Sequence, residues 1–526
     1  MNVQSAFDVV QHKILLDKLL DEEINLILWL VIKDLYSGLS SKIKWFGGLS
    51  ESFPIQQGVR QGGILSTHLY KIFVQDLLLE LEHQSLGFEL GDLYIGTPTC
   101  ADDIAFIETD KDNLQIMLNT ISRYADQHHY KIHPKKTKIV KYTNVKDNYK
   151  WYLNGKELCD DEDAVHLGLI RAAKAECDKN IESRLESARR TRYALMGSGM
   201  HGTNGIDAVT SYNIYSTYVL PRLLYGLEVL PLKKKHITSL ENFHRKSLRS
   251  FQSLPQRTAI SAIYLILGAL PVEAELHKRR LSLLYSLLSC ENTRITEIIN
   301  RQIAVNYDNE NSYFCTIREI LCQYNLPLIS QLQNNLPSKY KWKLLINKSI
   351  KEYWTKILKI EATHKTTLKF LAIEHLQMGE NHPLWNLGLK TRIEVKKAIV
   401  KARIITGTLI LQIDNQKFSR HDCVTTCQLC KTGDEDLEHF LLICPVLEGV
   451  RYKALMTLKT EVTHNTENGT WTKLMNNREN LLKFIIDCRN QSDMLSGNIQ
   501  LMDRIECVSK DLCYSLYIKR LDYLRT

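Results

Sequence analysis

The sequence predicts an α+β fold, with strands and helices mixed over residues 1–172 and an almost wholly helical remainder. Three observations predict it. Glycine and proline are scarce, 24 and 11 among 526 residues, and each interrupts a helix interior at a cost of about 1 kcal/mol for Gly and 3 for Pro. Up to Tyr142, short apolar runs bounded by turn residues alternate with longer stretches of helical apolar spacing. From Asn180 onward the helical spacing is nearly unbroken.

In chain order, Leu65 to Leu81 reads as a helix, with Leu69, Ile72, Phe73, Leu77 and Leu81 on its apolar stripe. Gly91 to Thr109 reads as strand, turn, strand, with the turn near Cys100-Ala101-Asp102-Asp103 and the second strand at Ile104 to Ile107. An amphipathic helix follows from Leu114 to His129, then a short strand from Lys138 to Tyr142 and a turn from Asn144 to Asn148. The next helix carries Ile181, Leu185, Ala188 and Leu195 on one stripe and stops at Gly197-Ser198-Gly199. Helices then continue past Pro221, Pro231, Pro255 and Pro271 to turn signals at Gly407 and Asp414.

The length exceeds the ~250–300 residues at which a single core stops growing, so several domains are expected. Lys and Arg number 68 against 59 Asp and Glu, a surplus of 68 − 59 = +9 that permits a polyanionic partner without requiring one. The first residues lack a basic stretch followed by an apolar one, and the run Ile24 to Ile32 is shorter than the ~20 residues of a membrane span. The expectation is an intracellular protein with no membrane partner, nucleus and cytoplasm being left open. Thirteen scattered cysteines, an odd number, read mostly as reduced thiols.

Three clusters carry chemistry. Asp102-Asp103 sets two acids on a tight turn between apolar runs, and hard oxygen donors of this kind suit Mg²⁺. Some forty residues upstream, Phe53 to Ser66 is a polar loop opening onto a helix. Its glycines let backbone approach a ligand, Arg60 suits phosphate, and Gln61 offers a donor and an acceptor. Near the C-terminus Cys427, Cys430, His439 and Cys444 form a Cys₃His set, soft donors that suit a tetrahedral structural Zn²⁺. Cys423 is a spare thiol beside them, and the polar stretch Gly433 to Glu438 reads as too polar for a core.

The strings Gly58-Val59-Arg60-Gln61-Gly62-Gly63-Ile64-Leu65-Ser66 and Cys100-Ala101-Asp102-Asp103-Ile104 resemble the palm motifs of the reverse transcriptases of non-LTR retrotransposons. Gln4-Ser5-Ala6-Phe7-Asp8 is similar to the end of the first palm motif, His133 to Lys138 to the later lysine-bearing motif, and Val165 to Leu169 to the primer grip. The Cys-Cys-His-Cys segment, with its Cys444-Pro445 ending, resembles the one near the C-terminus of the same proteins.

The resemblance implies RNA-templated DNA synthesis by two-metal nucleotidyl transfer, with an RNA template, a DNA primer and dNTPs as partners. Two Mg²⁺ about 4 Å apart would be held by Asp102, Asp103 and an acid of the first motif. That acid stands five residues before the aromatic that screens the sugar. The aromatic is Phe7, so the position falls on Asn2, which is neutral. Arg60, Gln61 and Gly62 are implied in substrate binding with Phe7, and Lys136 in catalysis as a proton donor or charge neutraliser. Thr67 stands where the family has proline.

The implied architecture is a partial palm over 1–172 with the fingers missing, a helical thumb over 173–260 and an α-helical connecting region over 261–415. A zinc knuckle over 416–450 and C-terminal helices over 451–526 complete it. Arg184, Arg189, Arg190 and Arg192 lie off the apolar stripe of the thumb helix, where they would track a template–primer backbone. Asn2 and the missing fingers imply an N-terminally truncated polymerase with a weakened metal site and impaired activity. The alternative is a non-catalytic RNA- or DNA-binding remnant of such an element.

Overall fold

The computed structural model describes residues 3–133, 136–143, 149–158, 160–202, 205–386, 391–418 and 424–525. It divides into two compact units, residues 1–180 and 181–526.

The first unit is built on α3 (Ile64–His83), which buries Leu69, Tyr70, Phe73, Val74, Leu77 and Leu81 at the spacing that puts them on one face. α1 (His12–Asp21) packs Leu15 and Leu19 into the same core, and α2 (Leu26–Tyr36) adds Ile32 and Tyr36. α4 (Lys111–Gln127) starts where the Asp110 side chain accepts from the backbone N–H groups of Asp112 and Asn113. It contributes Met117, Leu118, Ile121, Tyr124 and Ala125.

A polar clasp ties these helices together. Lys18 donates to Phe73 O at 2.7 Å and to Asp76 at 2.6 Å, and Tyr124 donates to the same carboxylate at 2.5 Å. The helix expected over Leu65 to Leu81 thus lies inside α3, and the one over Leu114 to His129 coincides with α4 apart from its ends.

The described strands are short antiparallel pairs. Thr99–Cys100 pairs with Asp103–Ile104, so the strand expected over Ile104 to Ile107 is shorter and begins one residue earlier. Ala105 and Ile107 still donate to Pro98 O and Gly96 O, which keeps this stretch in place without a longer ladder. The strand expected over Lys138 to Tyr142 is reduced to one bridge, Ile139 with Asp160. The turn Asn144 to Asn148 lies outside the described residues.

The hairpin Asp163–His166/Leu169–Ala172 closes through Leu167 (φ +49°) and Gly168 (φ +74°), the two left-handed positions of a type I′ turn. Asn180 fastens it to α5 (Glu176–Met196), accepting from Ile170 N and donating to Ile170 O. α5 starts four residues before the expected Asn180.

The second unit is helical. Ile260–Leu267 is buried from Ser261 to its end and Val272–Leu288 follows it, with Gly268 at φ +63° between them. No single described helix is long and apolar enough to cross a membrane. Lys401, on helix Arg392–Ile405, is fully buried and donates to Ile485 O at 2.7 Å and Ser509 Oγ at 2.6 Å, with Glu506 3.4 Å away.

Candidate active site and metal centre

Segments far apart in sequence converge in the first unit. Gln4 N donates to Lys131 O at 2.8 Å and Val3 bridges to Ile132, which sets the first motif beside the chain entering His133. On the other side Gly58 N donates to Val10 O and Val59 N to Phe7 O, both at 2.7 Å. This approach depends on Gly58. Its φ is +96°, and a Cβ there would stand 3.2 Å from Asp8 O and 3.3 Å from Asp8 Cα. Gly58→Ala is expected to cost the first unit about 2 kcal/mol through left-handed strain and backbone crowding. Urea unfolding of the variant beside the parent chain measures that loss.

Past Gly58 the loop presents Arg60, Gln61 and Gly62, all exposed. Gln61 Nε2 donates to Asp8 Oδ1 at 3.4 Å, and Ser66 Oγ closes the loop on Arg60 O at 2.5 Å. Phe7 is half-buried and stacks on Tyr70 of α3, with ring centroids 5.2 Å apart. Burial and, after it, the charge of Asp102 raise the Tyr70 hydroxyl well above its ordinary value. Tyr70 is thus stacked by Phe7 and lies within the field of the Asp102 carboxylate. Tyr70 was not singled out from the sequence, where it reads as one more apolar position of a helix.

Ala101 and Asp102 make the hairpin turn, Ala101 at φ +55°. That left-handed conformation costs a non-glycine residue about 1–2 kcal/mol, a kind of strain that collects at functional sites. Both carboxylates are half-buried, and among the described residues no cation pairs with either. Two partly desolvated hard oxygen donors without a protein cation fit a divalent metal such as Mg²⁺.

Asn2 lies outside the described residues. Lys136 is exposed in the turn after His133, and among the described residues no contact joins it to the acidic hairpin. Of the four arginines on α5, Arg189 and Arg190 are exposed and Arg184 lies over the Tyr225 ring at 5.0 Å. Arg192 is a correction. It is buried at 6% exposure, because the helix turns that position into the packed side.

In the second unit the Cys₃His set is assembled. The candidate ligand atoms of Cys427, Cys430, His439 and Cys444 all lie within 4.8 Å of one another. Cys427 and Cys444 stand at opposite ends of the segment, yet their Sγ atoms are 3.9 Å apart, and Cys430 Sγ is 3.3 Å from His439 Nε2. Lys431 (φ +58°) and Gly433 (φ +73°) fold the chain back so that Cys427 N donates to Gly433 O. Burial raises the Cys427 and Cys444 thiols, whereas at Cys430 hydrogen bonds led by Thr432 outweigh burial and hold the thiol at about 6. Three convergent sulfurs and an imidazole fit a tetrahedral metal ion. Cys423 lies outside the described residues.

The support around this set was not legible in sequence. Glu435, in the stretch read as too polar for a core, is 1% exposed and accepts both Arg520 Nε and Nη2 at 2.7 Å. Arg451, also buried, donates to Leu441 O and Cys444 O. Sequence alone gives no sign of partners 85 residues apart.

Comparison with known proteins gives a family match that lies within the first unit and relatives whose likeness extends beyond it. Residues 1–158 match the family described as "Reverse transcriptase (RNA-dependent DNA polymerase)". The chain is 27% identical over 266 residues to the RNA-directed DNA polymerase from mobile element jockey of Drosophila melanogaster, covering 48% of this chain and 28% of that protein. The Drosophila funebris counterpart is 28% identical over the same extent. A retrovirus-related Pol polyprotein from type-1 retrotransposable element R2 of Nasonia vitripennis is 27% identical over 136 residues, 26% of this chain and 13% of that one. The chain thus spans little more than a quarter of the length of the jockey proteins. Residues 1–158 form a reverse-transcriptase domain of the kind carried by non-LTR retrotransposon proteins.

Proposed function

We propose that this domain extends a DNA primer on an RNA template by nucleotidyl transfer, at low efficiency in this chain. The observation that carries the proposal is the pair Asp102 and Asp103, half-buried and, among the described residues, without a cation partner, with the charge of Asp102 raising the hydroxyl of the Tyr70 that stacks on Phe7. Magnesium held by these carboxylates would lower the charge on the primer oxygen and the leaving pyrophosphate. Phe7 closes the sugar side and excludes a 2′-hydroxyl by contact. Arg60 and Gln61, exposed beside Asp8, hold the incoming dNTP through phosphate and base or sugar edges.

Asn2, at the position of the third acid, brings an acceptor oxygen but no charge. A site facing two dications then lacks one anionic partner, a loss of about 3–5 kcal/mol by analogy with breaking a buried charge pair. In the second unit the soft donor set selects Zn²⁺ in a structural role. Residues 173–260 serve as thumb, 261–415 as connecting region, 416–450 as knuckle and 451–526 as its helical support.

Primer extension on an RNA template with a DNA primer, Mg²⁺ and dNTPs tests this. Weak synthesis that disappears in Asp102→Ala is expected. Robust synthesis unaffected by Asp102→Ala would remove the carboxylate pair from the reaction. The neutrality of Asn2 also favours a second reading, a non-catalytic nucleic-acid-binding protein. That reading expects no synthesis from either chain and template binding that survives Asp102→Ala.

A further inference from the structure

Helix Lys339–Thr363 carries seven lysines against two glutamates, a surplus of 7 − 2 = 5 on one element. Its 25 residues span about 37 Å. Trp342, Ile346, Ile350, Leu358 and Ala362 bury one side, and Trp342 Nε1 donates to Leu281 O at 3.1 Å, so the helix is firmly seated. Lys341, Lys348 and Lys356 stand exposed on the other side. Lys348 faces Glu352 at 3.9 Å with both side chains well exposed, an ion pair of little strength. Among the described residues Lys341 and Lys356 have no anionic partner.

The second half of the helix forms one wall of a groove of about 770 Å³ whose other wall is the segment Gln377 to Glu380. That wall is fixed, since Gly379 N donates to Gly268 O at 2.7 Å and Met378 N to Thr355 Oγ1 at 3.0 Å. Lys351 lies across Gly379, where a Cβ would stand 2.3 Å from its Nζ. Lys359 reaches Glu374 O at 2.6 Å. Glu352, Glu374 and Glu380 also line the groove, so the positive surplus belongs to the helix as a whole and continues N-terminally through Lys341 and Lys343.

We infer that this helix and groove bind the sugar–phosphate backbone of a nucleic-acid strand. A row of lysines in net surplus along one helix beside a fixed groove suits a continuous polyanion, and backbone neutralisation of this kind is blind to sequence. Lys351 and Lys359 are half-buried within the groove, where a strand can reach them and a flat anionic membrane cannot. The choice of nucleic acid among polyanions rests on the polymerase reading of the first unit. The surface does not require that domain to be active.

The test uses the full chain and a labelled single-stranded oligonucleotide, followed by anisotropy between about 50 and 200 mM KCl. The triple variant Lys341→Ala/Lys348→Ala/Lys356→Ala is expected to bind about tenfold more weakly or worse. Its slope of log K against log salt should fall by about 2, roughly 0.7 for each lost phosphate contact. The matching triple arginine variant should restore both, and the control Lys453→Ala/Lys459→Ala, at exposed positions of helix Glu448–Asn465, should change neither, whether or not the chain extends a primer. Unchanged affinity and slope in the triple alanine variant would overturn the inference. So would failure of the arginine variant to restore binding, or lost binding to phosphatidylserine vesicles with oligonucleotide binding intact.

Discussion

Exchanging Cys444 for serine in the metal-loaded chain is expected to cost the second unit about 5 kcal/mol or more, since binding energy at a structural zinc site is folding energy. The loss should spread beyond the ligands. Cys444 O receives Arg451, and Glu435, eight residues from Cys427, is clamped by Arg520 from the last helix, Ile499–Arg525. Gln412 N donates to the same carboxylate at 3.1 Å. A knuckle that opens therefore leaves two buried guanidinium groups without their acceptors, each costly in a dry interior. Calorimetry should show the transition of the second unit lowered by about 10 °C, given 2–4 °C per kcal/mol for domains somewhat smaller than this one. A chelator strong enough to strip zinc should reproduce the shift in the parent chain and leave Cys444→Ser unmoved. An identical melt with and without the metal would remove zinc from the account.

Replacing Lys401 by methionine should destabilise the second unit in a pH-dependent way. Burial pushes the Glu506 carboxyl up to about 7, with Lys401 restraining the rise. A carboxyl whose folded value lies above its unfolded one binds the proton more tightly when folded. Its contribution therefore falls as pH climbs from the unfolded value near 4.5 through about 7, then levels off. Without Lys401 the folded value moves higher still, so the decline continues above pH 7. The loss relative to the parent chain should be small near pH 6 and reach about 3–5 kcal/mol at alkaline pH, as for a buried pair that loses one partner. Urea unfolding across this range measures it, and Lys401→Met/Glu506→Leu should recover most of the stability. A loss independent of pH would mean that packing, not charge, is what Lys401 supplies.

Local patterns were legible in the sequence and long-range partnerships were not. Apolar spacing placed α3 and α4 because burial on one helix face writes its period into the text. The acidic turn was legible because a two-residue hairpin needs a tight turn between apolar runs. The Cys₃His set was legible because its donors are chemically distinctive and close in sequence. Tyr70 escaped, since an aromatic that supports Phe7 looks like any core residue until the two rings stack. Glu435 and Arg520 escaped because each looks like an ordinary surface charge. Arg192 misled for a related reason, a long polar side chain being assigned to solvent when its helix carries it inside. The short strand at Lys138 to Tyr142 was overread, because a β-prone run without a pairing partner forms only a bridge.

We propose that Asp102 and Asp103 hold divalent metal and that the neutral Asn2 leaves their site one charge short. Mn²⁺ binding followed by electron paramagnetic resonance, on the zinc-loaded chain with template–primer bound, tests it without requiring turnover. Asn2→Asp should bind Mn²⁺ at least about tenfold more tightly than the parent chain, the equivalent of 1.4 kcal/mol in a site where one added charge faces two dications. Asp102→Ala/Asp103→Ala should abolish that binding in either background. Equal Mn²⁺ affinity in all of these chains would contradict the claim.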